Sequence, residues 1–350
     1  MQLPNVFRLT LPLPASPLKE IHPYFIHGTS GGGRNLLIDT AFNADVCEAA
    51  LYAQLEAICN TPHADIMRQT DIFVTHLHVD HCGLIARLKN DENTVFASST
   101  DRAYIDGFQN DAHWDWLSEV NAWTGSPPEH SLKPTDHVAF LNRPAQRVPI
   151  TTLDDGEKIR YAQYEFEVIS VSGHTPGQIG LFHEATKSFF CGDHILERIS
   201  PNISAWNLAD DFLTIFLENL EKIKKLQVQN LFPAHRAELF AQEVNVRIDE
   251  LVLHHQNRLD EIEKQVRILG ANSPQGVTAF MIAQKIEWSY GKDFFELPPQ
   301  QKWFACSETL AHLQTLNFCG RIELVKPEGR LTGENGLIAK TCFFRLRGKF

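Results

Sequence analysis

Three features of this sequence predict an α/β fold. Short apolar, β-branched runs recur, and each ends in a tight turn carrying a histidine or a carboxylate; after residue 240 a helical period takes over. The clearest run, Asp71-Ile72-Phe73-Val74, has the length and composition of a buried strand. It leads directly into Thr75-His76-Leu77-His78-Val79-Asp80-His81-Cys82-Gly83, where three imidazoles and a carboxylate fall within six positions. Residues of this kind at this density are metal ligands. His76 and His78 alternate with the apolar Leu77, so in extended backbone both rings can point one way. Asp80 and His81 come after the chain has turned and are placed to face a second metal close to the first. Open α/β sheets put their chemistry at the carboxyl ends of strands, which is where this loop lies.

The same grammar repeats downstream. Glu167-Val168-Ile169-Ser170-Val171 leads into Ser172-Gly173-His174-Thr175-Pro176-Gly177. Ser188-Phe189-Phe190-Cys191 leads into Gly192-Asp193-His194, and Asn230-Leu231-Phe232 into Pro233-Ala234-His235. Upstream, Arg34-Asn35-Leu36-Leu37-Ile38 ends in Asp39-Thr40. One histidine after one strand is more often structural than functional. A design repeated at several strand ends describes convergence on a single site.

In order and spacing, these pieces resemble the metallo-β-lactamase superfamily over roughly residues 5–240. The resemblance implies a four-layer αββα sandwich with the metals at one edge. It implies that His76, His78 and His174 bind one ion, that Asp80, His81 and His235 bind the other, and that Asp193 bridges them. Asp39 then matches an aspartate that orders the loop without ligating. Arg236 follows His235 where the family commonly has glycine, which brings a cation near the pocket rim. An aspartate at position 193 speaks against the antibiotic-hydrolysing group, which uses a thiolate there; Cys191, two residues earlier, reads as a core residue. A histidine at position 78 speaks against the diiron oxygen-reducing relatives, which carry glutamate. Relatives with an identical loop and a single iron, which oxidise glutathione persulfide, stay open as an alternative.

The expected activity is hydrolysis of an ester, thioester, lactone or phosphodiester bond, with two divalent ions activating a shared water. Mixed nitrogen and oxygen ligands suit zinc, with iron or manganese as the alternatives. Asp80 is expected to orient the water and take its proton. His194 either contacts the substrate or its leaving group, or packs behind the site.

A chain of 350 residues is longer than one core usually organises, so a main domain over 1–243 and an appended one over 244–350 are expected. The opening Met1-Gln2-Leu3-Pro4-Asn5 lacks a basic segment followed by an apolar one, and no stretch has the length of a transmembrane helix. Seven scattered cysteines show neither finger nor disulfide spacing. A cytoplasmic protein with reduced thiols, a small-molecule substrate and no membrane partner is the expectation. Gly31-Gly32-Gly33 lies between two strand-like runs and reads as a hairpin turn, not a phosphate loop.

Residues 101–150 hold Trp114, Trp116 and Trp123, with Pro127, Pro128, Pro134 and Pro144 interrupting any long helix. This insert is either a lid beside the metals or a helical hairpin with its tryptophans in the core. Beyond it, apolar residues at Val244, Ile248, Leu251, Leu259, Ile262, Val266 and Leu269 predict an amphipathic helix ended by Gly270. His254 and His255 are neighbours on it, diverge by about 100°, and are not a metal pair. Helices over Thr278–Ile286 and Pro299–Leu316, then strands at Ile322–Val325 and Leu337–Leu346, resemble a winged helix. The segment after Gly320 is modestly basic, so a winged-helix DNA-binding regulator is one alternative, but the third helix offers little beyond Lys302, and a net charge of −11 argues against gripping duplex DNA. Metal-dependent cleavage of RNA is a further alternative, and a homodimer is one arrangement that such a wing serves.

Overall fold

Strand-length apolar runs build two sheets. The computed structural model describes residues 3–28, 33–288, 293–325 and 341–347. In chain order the first strands are β1 (Val6–Arg8), the short pair β2 (Leu11–Pro12) and β3 (Glu20–Ile21), β4 (Tyr24–Ile26), β5 (Asn35–Ile38), β6 (Thr70–Phe73), β7 (Val95–Ala97) and β8 (Thr151–Thr152). Six of them form one sheet in the order β1-β4-β5-β6-β7-β8, and its members β5 to β8 are parallel. The next six are β9 (Lys158–Tyr161), β10 (Tyr164–Ser170), β11 (Ile179–His183), β12 (Ser188–Gly192), β13 (Asn230–Pro233) and β14 (Leu239–Phe240). They form the second sheet in the order β14-β13-β12-β11-β10-β9.

One buried cluster joins the two sheets. Tyr24, Ile26, Leu36, Ile38 and Phe73 from the first meet Phe166, Val168, Ile179, Leu181, Phe190 and Phe232 from the second. The period of two along β10, with Tyr164, Phe166 and Val168 inward, is what lets one face of a strand supply that core. Helix His63–Arg68 packs on β6 of the first sheet and helix Asp45–Cys59 on β2, while Lys222 and Asn219 bond the carbonyls of Ser170 and Ser172 at the end of β10. This is the expected αββα sandwich.

Strand direction gathers the loops. β5, β6 and β7 run parallel, so the turns carrying Asp39, His76–His81 and Ser98–Asp101 leave one edge of the first sheet. In the second sheet β10 and β12 are each antiparallel to β11, and β12 is parallel to β13. The loops after β10, β12 and β13, which carry His174, Asp193 and His235, therefore also share an edge. Backbone hydrogen bonds from Ile179 N to Thr75 O (2.9 Å) and from His22 N to Ala234 O (2.7 Å) tie the two edges together.

The chain divides into two compact units. The sandwich unit comprises Met1–Asn110, Val138–Pro201 and Glu218–Ile248; the other comprises Asp111–His137, Asn202–Leu217 and Asp249–Phe350. In the second unit the prolines of the insert do break it up, into helix Asp111–Thr124 and one-turn segments at Pro128–His130 and Pro134–Asp136. Trp114 is buried, and Trp116 stacks on Trp206 with centroids 5.4 Å apart while donating to its carbonyl at 3.0 Å. The amphipathic helix runs Gln242–Gly270, followed by Ala279–Ala283, capped by Thr278, and Pro299–Phe318. Strands β15 (Ile322–Val325) and β16 (Phe343–Leu346) pair antiparallel. The second of them is shorter than expected, and Leu337 to Lys340 lie outside the described residues, as do Gly31 and Gly32. The strands that flank the glycine run, β4 and β5, are antiparallel neighbours. His255 Nδ1 lies 3.1 Å from His312 Nε2. No helix among the described residues is long and apolar enough to cross a membrane.

Candidate metal centre

Seven side chains from four loops converge in the sandwich unit. Their ligand atoms form three groups, each within 4.8 Å: His76, His78 and His174; His76, His81 and Asp193; Asp80, His81 and His235. His76 Nε2 stands 3.1 Å from His78 Nδ1. Asp193 faces both ends of the cluster, with one oxygen 3.6 Å from His81 Nε2 and the other 3.9 Å from His174 Nε2 and 3.6 Å from His235 Nε2. Asp80 lies 3.3 Å from His235 Nε2 and 3.9 Å from His81 Nε2. All seven sequence-predicted ligands are thus brought together.

Neighbouring residues set which ring nitrogen faces inward. Asp39 takes a left-handed backbone conformation (φ 64°), uncommon for a residue with a side chain. From there its carboxylate accepts from Thr75 N and Thr75 Oγ1, both at 2.8 Å, and from His81 Nδ1 at 2.8 Å. With its own proton given to Asp39, Thr75 Oγ1 accepts from His76 Nδ1 at 3.0 Å. His235 Nδ1 donates to the Glu20 carbonyl at 2.9 Å. These bonds assign the protons of His76, His81 and His235 to Nδ1 and leave each Nε2 lone pair turned to the cluster.

The donor set fits metal ions. His81 Nε2, His235 Nε2 and Asp193 Oδ1 are buried without a hydrogen-bond partner, an arrangement that is costly unless a cation takes the lone pairs. Electrostatics agree. Burial and the neighbouring His81 push the His76 imidazole far below its usual range, and burial with His174 takes His78 to about 3. Burial opposes ionisation of Asp80, yet His81 and His235 hold it at about 2; Asp193 is held low by the same histidines against the same burial. Against burial, Asp39 first and then Asp193 and Asp80 raise His81, while Asp193 and Asp80 raise His235, so positive charge is favoured beside these carboxylates.

His194 is fully buried, hydrogen-bonds the Asn219 backbone, and is pushed by burial to about 3; it belongs to none of the three ligand groups. The Cys191 thiol is buried against the carbonyls of Ile195 and Phe232 and pushed up by burial, as a core cysteine is. Two contributors were not legible in the sequence. Gly192 (φ 52°) passes so close to Thr75 that a Cβ would sit 2.6 Å from its hydroxyl, so only glycine lets β12 deliver Asp193 there. Asp101 is buried beneath the histidine loops, and its only sequence signal is the Ser98-x-x-Asp101 pattern of a helix start.

The comparisons with known proteins agree with this geometry. The chain is 24% identical over 327 residues to "Probable metallo-hydrolase YqjP" of Bacillus subtilis (strain 168), covering 90% of this chain and 93% of that protein. A shorter match, 34% identical over 91 residues, is to a hydroxyacylglutathione hydrolase of Pseudomonas paraeruginosa, covering 23% of this chain and 35% of that one. Among solved structures, a metallo-beta-lactamase family protein of Thermus thermophilus superposes with a TM-score of 0.74 at 23% identity, covering 99% of both chains. A beta-lactamase domain protein of Burkholderia ambifaria gives 0.77 at 21% identity, covering 99% of this chain and 93% of that one. Residues 20–235, which span every ligand-bearing loop, match the family model described as metallo-beta-lactamase superfamily, and the chain belongs to that superfamily.

Proposed function

We propose that this metal-dependent hydrolase works with two divalent ions, most simply zinc, held by His76, His78 and His174 on one side and by Asp80, His81 and His235 on the other, with Asp193 between them. The observation that carries the reading is the set of three overlapping ligand groups, too many donors for one ion, facing a shared aspartate. Such ions supply Lewis acidity toward a carbonyl or phosphoryl oxygen and lower the pKa of water.

The remaining work falls to the chain. Within the cluster His78 and Asp80 are the least buried residues, which makes their side the proposed approach for water and substrate. Asp80 is well placed to orient the attacking water and accept its proton, because its neighbours keep it ionised. Asp39, Thr75 and the Glu20 carbonyl hold the rings so that no reorganisation is needed during turnover. The local likeness to a hydroxyacylglutathione hydrolase puts a thioester first among the bonds to try, ahead of esters, lactones and phosphodiesters.

Elemental mass spectrometry of protein purified without added metal tests this. About two ions per chain, with turnover on one member of that substrate panel, is the expected result. A single iron with oxygen uptake on glutathione persulfide would instead establish the mononuclear dioxygenase.

A further inference from the structure

We propose that Asp101 is the positioning residue that holds His76, His78 and His174 as one metal-binding group, by clamping the loop after β6 to the loop after β10. The inference rests on the two-ion reading above. Asp101 is 0% exposed, in the first turn of helix Ser99–Gly107. One carboxylate oxygen accepts from Leu77 N at 2.9 Å and from the Thr175 hydroxyl, across the site, at 2.7 Å. The other accepts from Gly177 N at 2.7 Å. Leu77 lies between His76 and His78, and Thr175 directly follows His174. A single carboxylate therefore grips the backbone on both sides of the gap that the three rings must close.

The surroundings are shaped to that grip. Ser98 Oγ accepts from Asp101 N at 3.1 Å and fixes the helix start, where the helix dipole favours a carboxylate. Gly177 leaves no room for a side chain: a Cβ there would meet Ser98 Oγ at 2.5 Å and Asp101 Oδ1 at 2.7 Å. The other ligand group has different anchors, Asp39 on His81 and the Glu20 carbonyl on His235. Loss of the clamp should accordingly weaken one ion and spare the other.

An asparagine at 101 keeps the size but presents an NH₂ to at least one of the two backbone N–H groups, and neither of these can reverse its role. Thr175→Val removes one strand of the clamp, and Thr175→Ser keeps it. Full-length wild type, Asp101→Asn, Thr175→Val and Thr175→Ser would be titrated with Zn²⁺ against a chromophoric chelator. Co²⁺ absorption reports ligand geometry, and far-ultraviolet circular dichroism of the metal-free proteins reports folding. The expected result is two tight ions in wild type and Thr175→Ser. In Asp101→Asn, one ion should be weakened about 10–100-fold and the other unchanged, with a smaller loss in Thr175→Val. Two unchanged ions in Asp101→Asn, or equal weakening of both, overturns the proposal; if that variant does not fold, the Thr175 pair decides in the same way. If wild type itself takes one ion, the two-ion reading fails, and the clamp stands or falls on whether Asp101→Asn weakens that ion.

Discussion

At the scale of single residues, the proposed metal centre is built as much from the groups behind its candidate ligands as from those ligands. Asp39 satisfies three donors at once, and replacing it by asparagine turns an NH₂ toward either the His81 Nδ1–H or a Thr75 donor. Asp39→Asn should therefore lose metal about 10–100-fold more readily in a chelator competition, with unchanged circular dichroism. Asp80 carries a different burden, since it is proposed both as a ligand and as the carboxylate that takes the proton of water, and it is the more exposed of the two carboxylates in the cluster. Asp80→Ala should lower turnover by at least about 100-fold while the protein stays folded. Steady-state rates at wild-type level in that variant would sink the assigned role.

At the scale of elements, the end of β12 carries a constraint that the rest of the strand does not share. β12 reaches the site only because Gly192 passes Thr75 in a conformation that side chains rarely adopt. Gly192→Ala should cost about 1–3 kcal/mol in a denaturant titration. In the second unit, helix Pro299–Phe318 buries Glu308, whose carboxylate accepts from Asn202 Nδ2 at 2.8 Å. Burial pushes this carboxyl up to about 7, against the opposing pull of Arg258 and Asn202. Its folded value lies above the usual carboxylate value, so the folded state binds the extra proton between them, and stability falls as pH rises through that window. Glu308→Gln, which keeps the bond to Asn202, should be more stable than wild type at pH 8, by up to about 3 kcal/mol, and so melt higher there, and should equal it near pH 4. Equal melting temperatures at both pH values would show that the buried carboxyl carries no such cost.

At the scale of the whole molecule, the proposed ions would couple metal binding to folding. Buried lone pairs on His81, His235 and Asp193 point into one space, and without a cation they weaken the edge where the two sheets meet. Ions present at about a thousand times their dissociation constant contribute about 4 kcal/mol. Exhaustive chelation should then lower the melting temperature by on the order of 10 °C, reversibly on adding Zn²⁺. An unchanged melting curve after complete metal removal would mean that the site is organised independently of its ions.

Much of this was legible along the chain because it is local. Ligands within one loop, the alternation of His76 and His78 about Leu77, and the period along Gln242–Gly270 each depend on neighbours a few residues apart, where backbone geometry alone fixes direction. The contacts between loops were not. Asp101 meets Thr175 across 74 positions, Asp39 meets His81 across 42, and His255 finds His312 across 57, where nearby spacing had only ruled out His254. By itself the sequence determined the candidate ligand types, their strand-end placement and the α/β class, all consequences of short-range periodicity and donor chemistry. The tertiary structure alone decided which nitrogen of His76, His81 and His235 faces inward and which buried carboxylates hold the loops in place. Those hydrogen bonds exist only once parallel strands have brought distant turns to a common edge.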